Sequence, residues 1–172
     1  MTVATASLVE PIVGEFREEV GITRRILERV PGDKLDWRPH AKSMTLGQLA
    51  WHIATGPGDL ARILQQDGFD VTQGSFVPPQ PKSKEEIMAA YEESARSGEA
   101  FLKGLSDYQA LGNWRLAKGN HELFVRPRIE VLRSIMLNHW YHHRGQLSVY
   151  LRLLDVPVPV VYGRSADEDP FA

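Results

Sequence analysis

The residues in this sequence best suited to metal chemistry are His139 and His143, which stand four positions apart. On a helix, side chains at positions i and i+4 lie on the same face one turn apart, so two imidazole nitrogens can reach one cation. A tight site needs a third ligand from a facing helix, and His52 is the candidate because it lies on the apolar stripe of an earlier helical segment. Three histidines that leave one coordination position for water are typical of a catalytic divalent-metal site.

A histidine pair at this spacing has a second interpretation, in which both are ordinary core residues. With six histidines in 172 residues, such a pair arises by chance in about one sequence in five. The surroundings favour the metal site, because a polar group in a bundle core costs about 1–3 kcal/mol unless it has a partner. In steps of three and four, the inner stripe of this last helix reads Leu132, Met136, His139, His143, Gln146, Tyr150 and Leu153.

Other polar residues near the three histidines have weaker cases. His142 is expected beside the ligands, at an interface or on the surface. Gln146 either holds a water or a substrate, or forms a hydrogen bond within the core. His40 and His121 are expected on the surface. No general base is evident, since Asp59 lies about 10 Å along its helix from the nearest of the three histidines.

Four amphipathic segments must position these residues, and each has apolar side chains three or four positions apart. The second opens with a capping box at Thr45 and Gln48, and the third with one at Ser83 and Glu86. Within the second, Pro57 removes a helix donor and predicts a kink or a break. The four segments span about residues 7–30, 45–64, 83–105 and 127–154.

Four long helical segments with little strand signal predict an all-α fold, an antiparallel four-helix bundle formed by residues 1–172 as a single domain. Residues 65–81 are predicted to be loop. A short β-hairpin is expected just before the last helix, where residues 114–117 and 121–124 flank a Lys-Gly-Asn turn. Residues 155–172 contain three prolines and are expected to form an extended tail that packs on the bundle.

Composition narrows the class of protein. A length of 172 residues suits one domain with a full core, and the net charge of −2 lacks the basic excess that nucleic-acid binding usually needs. The absence of cysteine excludes disulfides, thiolate metal ligands and a cysteine nucleophile. The first residues do not resemble a secretory signal, and no run of about 18 apolar residues occurs. We therefore expect a cytoplasmic protein with neither a membrane nor a nucleic acid as partner.

Five stretches are similar to those of a known family: TLGQLAWHIA at 45–54, NHWYHHRGQL at 138–147, LDWRPH at 35–40, and the tail motifs VPVP and SADE. By these stretches the chain resembles the DinB-like (damage-inducible) family. The resemblance implies an up-down-down-up helix bundle, usually dimeric, that binds a divalent metal through three histidines. By position these are His52, His139 and His143, in agreement with the argument from spacing. Characterised members of the family include thiol-dependent S-transferases and a maleylpyruvate isomerase.

Two classes of function follow from these observations. In the first, the chain is a metalloenzyme, in which zinc or nickel activates a low-molecular-weight thiol or water for transfer to, or hydrolysis of, a small-molecule substrate. In the second, the chain is a non-catalytic metal-binding dimer of a stress response, and the ion fastens two helices together. A homodimer is expected in both cases.

Overall fold

Helices make up most of the structure, a computed structural model that describes residues 7–171. Two ends of the chain lie outside the described part. They are residues 1–6, which belong to the stretch without resemblance to a secretory signal, and Ala172, the last residue of the predicted tail. The first helices are α1 (Glu10–Leu27), α2 (Leu46–Leu64), α3 (Lys84–Gly104) and the short α4 (Asp107–Leu111). The last helix is continuous over residues 128–153 and consists of α5 (Arg128–Val131), a π-helical stretch (Leu132–Asn138) and α6 (His139–Leu153). Short 3₁₀ turns cover Gly32–Lys34 and Val71–Gln73.

Side-chain caps fix where α2 and α3 begin, as predicted. Thr45 Oγ1 accepts from the backbone N–H of Gln48 at 3.0 Å, and Gln48 Oε1 accepts from the backbone N–H of Thr45 at 3.0 Å, which completes the capping box. Ser83 accepts from the N–H of Glu86 at 3.2 Å, but Glu86 Oε2 accepts from the backbone N–H of Lys82 at 2.6 Å, so the capping box predicted at Ser83 and Glu86 is only half formed. These bonds satisfy amide groups that have no carbonyl partner within the helix.

The helix α2 continues through Pro57, so the predicted break does not occur. The proline still deprives the carbonyl of Ile53 of its regular donor four residues later. The indole N–H of Trp140 on α6 donates to that carbonyl at 2.8 Å. From α3, Ser94 Oγ accepts from the N–H of Gly58 at 2.8 Å. Side chains of two neighbouring helices therefore supply hydrogen bonds around the proline, which explains how α2 stays helical there.

Contacts between the long helices give them an up-down-down-up arrangement. The helix α1 runs antiparallel to α3, α2 runs parallel to α3, and the last helix runs antiparallel to α2. Between α1 and α3, the contacts are Arg17 with Glu99 and Glu28 with Lys84. Between α2 and α3, they are Thr45 with Gln80, just ahead of α3, and Gly58 with Ser94. Between α2 and the last helix, they are Leu64 with Arg128 and Ile53 with Trp140.

A three-stranded sheet lies beside the helices and corrects the all-α prediction. Its strands are β1 (Gly68–Asp70), β2 (Asn113–Lys118) and β3 (His121–Pro127), in the order β1-β2-β3. The predicted hairpin is β2–β3, with Gly119 at a φ of 57° in its turn. The segment predicted as loop contains β1, which pairs in parallel with β2. A strand of three residues is too short to show an alternating pattern in the sequence.

An apolar core fills the space between the long helices. Fully buried members include Phe16 of α1, Leu49 of α2, Ile87 of α3 and Leu147 of α6. Trp114 of β2 also belongs to this core, so the sheet covers part of it. Within residues 7–171, no helix combines the length and the apolar character that crossing a membrane requires.

The chain beyond the last helix lies against α1. Residues 155–171 contain neither helix nor strand. Arg29, two residues beyond the end of α1, donates to Glu168 at 2.5 Å. Arg25 of α1 donates to the carbonyl of Val160 at 3.3 Å. Pro159 is buried in this contact region. The tail therefore covers a part of α1 that would otherwise face solvent.

Candidate metal centre

His52 of α2 and the pair His139 and His143 of α6 come together where these two helices face each other. Each residue offers a ring nitrogen, and these nitrogens all lie within 4.8 Å of one another. The Nε2 atoms of His139 and His143 are 2.9 Å apart. The ring centre of His52 lies 5.1 Å from that of His139 and 4.6 Å from that of His143. The three residues singled out in the sequence thus form one cluster, and metal binding by them stays a prediction.

A small cavity adjoins the three histidines. Its volume is about 10 Å³, which is the space of about one water-sized particle. The remainder of its lining is apolar or aromatic and consists of Ile53, Gly56, Leu60, Met136 and Trp140. A single ion or water fits in this cavity beside the imidazoles.

All three imidazoles are uncharged near neutral pH. Burial, with a smaller effect of the nearby His143, lowers the pKa of His52 to about 4. Burial also lowers the pKa of His139 to about 4, with added repulsion from His143. The pKa of His143 itself is lowered by burial, against the opposing effect of a hydrogen bond with Gln146. Neutral imidazole is the form that binds a metal ion.

The donor set of this cluster fits a divalent transition metal. Imidazole nitrogen suits zinc, copper, iron and nickel, and three such ligands leave a coordination position open. His139 and His143 present their Nε2 atoms to each other at 2.9 Å, close enough for both lone pairs to reach one ion. Within residues 7–171 the cluster contains histidines alone, so a bound ion keeps its full charge for an external ligand.

Gln146 and His142 extend this cluster along α6. Gln146 Oε1 lies 2.7 Å from Nδ1 of His143, and Gln146 Nε2 lies 3.1 Å from Nε2 of His142. Because an amide oxygen only accepts, Nδ1 of His143 carries the proton, and its Nε2 keeps a free lone pair. Of the two interpretations of Gln146, the hydrogen bond is present, but to a cluster histidine at the surface rather than within the core.

The inner stripe predicted for the last helix is wrong beyond Met136. Leu153, which the stripe placed inside, is 57% exposed. The π-helical stretch explains the difference, because its i→i+5 bonds widen the turns and move the buried face on by one residue. His139 and His143 therefore stand at the edge of the core and not in its middle. The residues that α6 buries are Trp140, Arg144, Leu147 and Leu151.

A buried ion pair between α6 and α1 was not predicted from the sequence. Arg144 Nη1 lies 2.5 Å from Glu19 Oε2, and the two side chains are only 2% and 8% exposed. Arg144 also donates to Thr23 Oγ1 at 2.9 Å, and the hydroxyl of Tyr162 in the tail donates to Glu19 at 3.0 Å. The available signal was Glu19 itself, a carboxylate three positions after Phe16 on the apolar face of α1.

The two histidines expected on the surface, and Asp59, lie away from the three-histidine cluster. His40 lies in an exposed loop and accepts from the backbone N–H of Lys42 at 3.1 Å. His121 is exposed on β3. Asp59 accepts from Arg62 at 2.7 Å on the outer face of α2. None of these side chains is placed to serve as a ligand or as a general base at the three histidines.

Comparison of sequences identifies relatives of this chain. The family model described as the DinB family matches residues 1–169. Among curated proteins, the uncharacterized protein YrdA of Bacillus subtilis (strain 168) is 24% identical over 157 residues. The aligned region covers 87% of this chain and 85% of YrdA.

Two solved structures of DinB-like proteins share the fold. YjoA of Bacillus subtilis superposes with a TM-score of 0.69 at 20% identity, covering 91% of this chain and 100% of that one. A protein of Bacillus cereus ATCC 10987 superposes with a TM-score of 0.67 at 23% identity, covering 87% of this chain and 94% of that one. At these identities the likeness concerns the fold alone. The family match extends over nearly the whole chain, and this chain therefore belongs to the DinB family.

Proposed function

We propose that this chain is a metal-dependent enzyme, in which His52, His139 and His143 hold a divalent ion, with zinc and nickel as the leading candidates. The observation that supports the proposal is the convergence of three uncharged imidazoles, with ring nitrogens within 4.8 Å of one another. Each is desolvated enough to stay neutral at pH 7. None is fully buried, so an external ligand has access to the cluster.

A divalent ion held there would lower the pKa of a bound thiol or water and thereby supply a nucleophile near neutral pH. The chain itself holds the ligands in place: Gln146 keeps a proton on Nδ1 of His143, and Leu60 and Met136 present apolar surface on the inner side. Because the chain has no cysteine, a thiol nucleophile must come from a small molecule. The proposed reactions are therefore S-transfer from a low-molecular-weight thiol, or hydrolysis.

The first test is element-resolved metal analysis of untagged protein, because a histidine tag would bring nickel with it. Wild type is expected to hold about one zinc or nickel ion per chain, and His139→Ala is expected to lose it. His121→Ala is the matched control, since His121 is exposed on β3, and it should keep the ion. Wild-type protein that holds no metal, and takes up none after incubation, would disprove the proposed site.

Activity is tested with monochlorobimane as electrophile and a small thiol as nucleophile. Metal-loaded wild type and His121→Ala should accelerate adduct formation, and His139→Ala should show the rate without enzyme. Equal rates in wild type and His139→Ala would reject a thiol transferase that depends on this cluster. Ester hydrolysis by the same three proteins distinguishes activation of water from activation of a thiol.

A second candidate function is non-catalytic metal binding, in which the ion fastens α2 to α6 within a homodimer. The distribution of the ligands over two helices favours this function, because an ion held by His52 of α2 and by His139 and His143 of α6 would join those helices. Removal of the metal should then lower the melting temperature while no electrophile or ester is turned over. Identical melting of metal-free and metal-loaded protein would exclude it.

A further inference from the structure

We propose that Trp140 is a positioning residue of the three-histidine cluster and acts through the backbone carbonyl of Ile53, an inference that rests on the proposed metal site. In the chain, Ile53 directly follows His52, and Trp140 directly follows His139. The hydrogen bond from the indole N–H of Trp140 to the carbonyl of Ile53, 2.8 Å long, therefore joins α2 to α6 immediately beside the cluster.

The carbonyl of Ile53 needs this partner because of Pro57. In a regular α-helix, the N–H four residues later would donate to it, but proline has no N–H. Ile53 is only 1% exposed and Trp140 only 3% exposed, so water has little access to the bond. A buried carbonyl without a donor is costly, and the indole N–H therefore has a strong reason to stay at this position.

Both partners of this hydrogen bond are also held from other sides. The ring of Trp140 stacks on Phe16 of α1, with centres 5.5 Å apart and an interplanar angle of 24°. On α2, the N–H of Gly58 donates to Ser94 Oγ at 2.8 Å, and a Cβ at Gly58 would lie 2.9 Å from Ser94 Cα. Neither partner can shift without disturbing a third helix. By pairing the Ile53 carbonyl, the bond keeps the turn of α2 that carries His52 in its regular helical position opposite His139 and His143.

The test combines Trp140→Phe with Pro57→Ala in the full-length untagged chain. Phenylalanine keeps an aromatic ring and has no N–H, whereas alanine at position 57 provides the helical N–H that the Ile53 carbonyl lacks. The three readouts are the zinc dissociation constant from chelator competition, the visible spectrum of bound Co²⁺, and the melting temperature of metal-free protein. Trp140→Phe removes the same ring volume and the same indole N–H in both backgrounds, so the difference between them isolates the effect of leaving the Ile53 carbonyl without a donor.

Trp140→Phe alone is expected to weaken zinc binding about tenfold and to change the Co²⁺ spectrum. In the Pro57→Ala background, the same change should alter zinc binding within about twofold and leave the spectrum unchanged. An equal loss of affinity in both backgrounds, or no loss in either, would overturn the inference. If Trp140→Phe does not fold, a double variant that folds and binds zinc supports it, and a double variant that also fails to fold overturns it.

The outcomes also separate this inference from the proposed function. Wild type that binds neither zinc nor Co²⁺ would overturn the metal site and the inference together. Normal binding by wild type and by Trp140→Phe would overturn the role of Trp140 alone. Pro57→Ala by itself should bind zinc within about twofold of wild type, since Trp140 and the restored N–H can both donate to one carbonyl oxygen.

Discussion

The second ring nitrogen of His143, the one turned away from His139, has a partner within the protein. Gln146 Oε1 lies 2.7 Å from Nδ1 of His143, while Nε2 of His143 faces His139 at 2.9 Å. Partners of this kind fix the tautomer and the ring orientation of a metal-binding histidine. The affinity of the proposed site for a metal is therefore expected to depend on Gln146, although Gln146 is not one of the proposed ligands.

Gln146→Leu is expected to weaken zinc binding about 10–100-fold, because it removes the acceptor that holds the proton on Nδ1 of His143. Gln146→Glu is the matched control, since a carboxylate oxygen still accepts at this position and affinity should be retained. Chelator competition measures both dissociation constants. Equal affinities for the two variants would contradict the role of Gln146.

Acid is expected to destabilise the metal-free protein between about pH 6.5 and pH 4. Folding lowers the pKa of His52 and of His139 from 6.5 to about 4. Within this window the unfolded chain binds more protons than the folded one, so the stability is complete above pH 6.5 and falls as the pH decreases. Thermal melts across this range should show a smaller fall in His139→Ala than in wild type. His121→Ala, whose side chain is exposed, should follow the wild-type curve.

The three histidines of the cluster were predictable because much of the signal is local. His139 and His143 share a helix face by their spacing alone, and His52 lies on a stripe that the second helix must turn inward. Trp140 and Gln146 were harder to interpret, because their roles depend on hydrogen bonds to atoms of other residues. Pro57 creates the need for a donor at Ile53, but the indole that donates belongs to α6 and comes near only in the folded chain.

Among the helices, α6 has two different groups of polar side chains on adjacent faces. His139 and His143 face His52 of α2, and Arg144 faces Glu19 of α1. The π-helical stretch ahead of α6 determines which residues occupy each face, because it displaces the buried stripe by one position. A pattern of three and four steps assumes α-helical turns throughout, which is why it assigned Leu153 to the interior.

Arg144→Met is expected to lower the free energy of unfolding by about 3–5 kcal/mol, because it leaves the Glu19 carboxylate buried without its cation. Adding Glu19→Leu should restore most of the loss, since replacing both charges of a buried pair is often neutral. Urea denaturation measures both effects. Arg152→Met is the control on the same helix: its ion pair with Asp167 is exposed, and its loss should cost about 0–1 kcal/mol. A similar cost for both arginines would contradict this account.

At the scale of the whole molecule, the tail completes the enclosure of the ion pair between α1 and α6. The hydroxyl of Tyr162 donates to Glu19 at 3.0 Å, and the Tyr162 ring centre lies 5.1 Å from the guanidinium carbon of Arg144. Val158 and Val161 pack against the core in the same region. The tail therefore contributes to the stability of the bundle and supports the helix that carries two cluster histidines.

A chain that ends at Asp155 is expected to lose more than about 1 kcal/mol of unfolding free energy, because it gives up the partly buried Val158 and Val161, and full burial of such a side chain contributes about 1.5–3 kcal/mol. Urea denaturation of the shortened and complete chains provides the comparison. Removal of residues 170–172 alone serves as control, since Phe171 is 85% exposed, and it should change stability by less than about 0.5 kcal/mol. An unchanged midpoint for the chain ending at Asp155 would show that the tail does not stabilise the fold.

Local patterns in the chain are sufficient to predict the long helices, the starts of α2 and α3, the β2–β3 hairpin and the three histidines that could share an ion. These features depend on neighbours within a few positions: a capping residue, a turn glycine, or a spacing of four. Local energetics suffices for such features because the interacting groups are close in the chain.

Tertiary structure alone decided the rest. The strand β1 forms only because β2 offers it a partner, the stripe of α6 shifts because of the π-helical stretch, and Arg144 is buried because Glu19 of α1 neutralises it. Trp140 likewise donates to the carbonyl of Ile53 because a proline of that other helix leaves the carbonyl without its regular donor. Each of these features balances a local cost against contacts between residues far apart in the chain, and that balance exists only once the helices have packed.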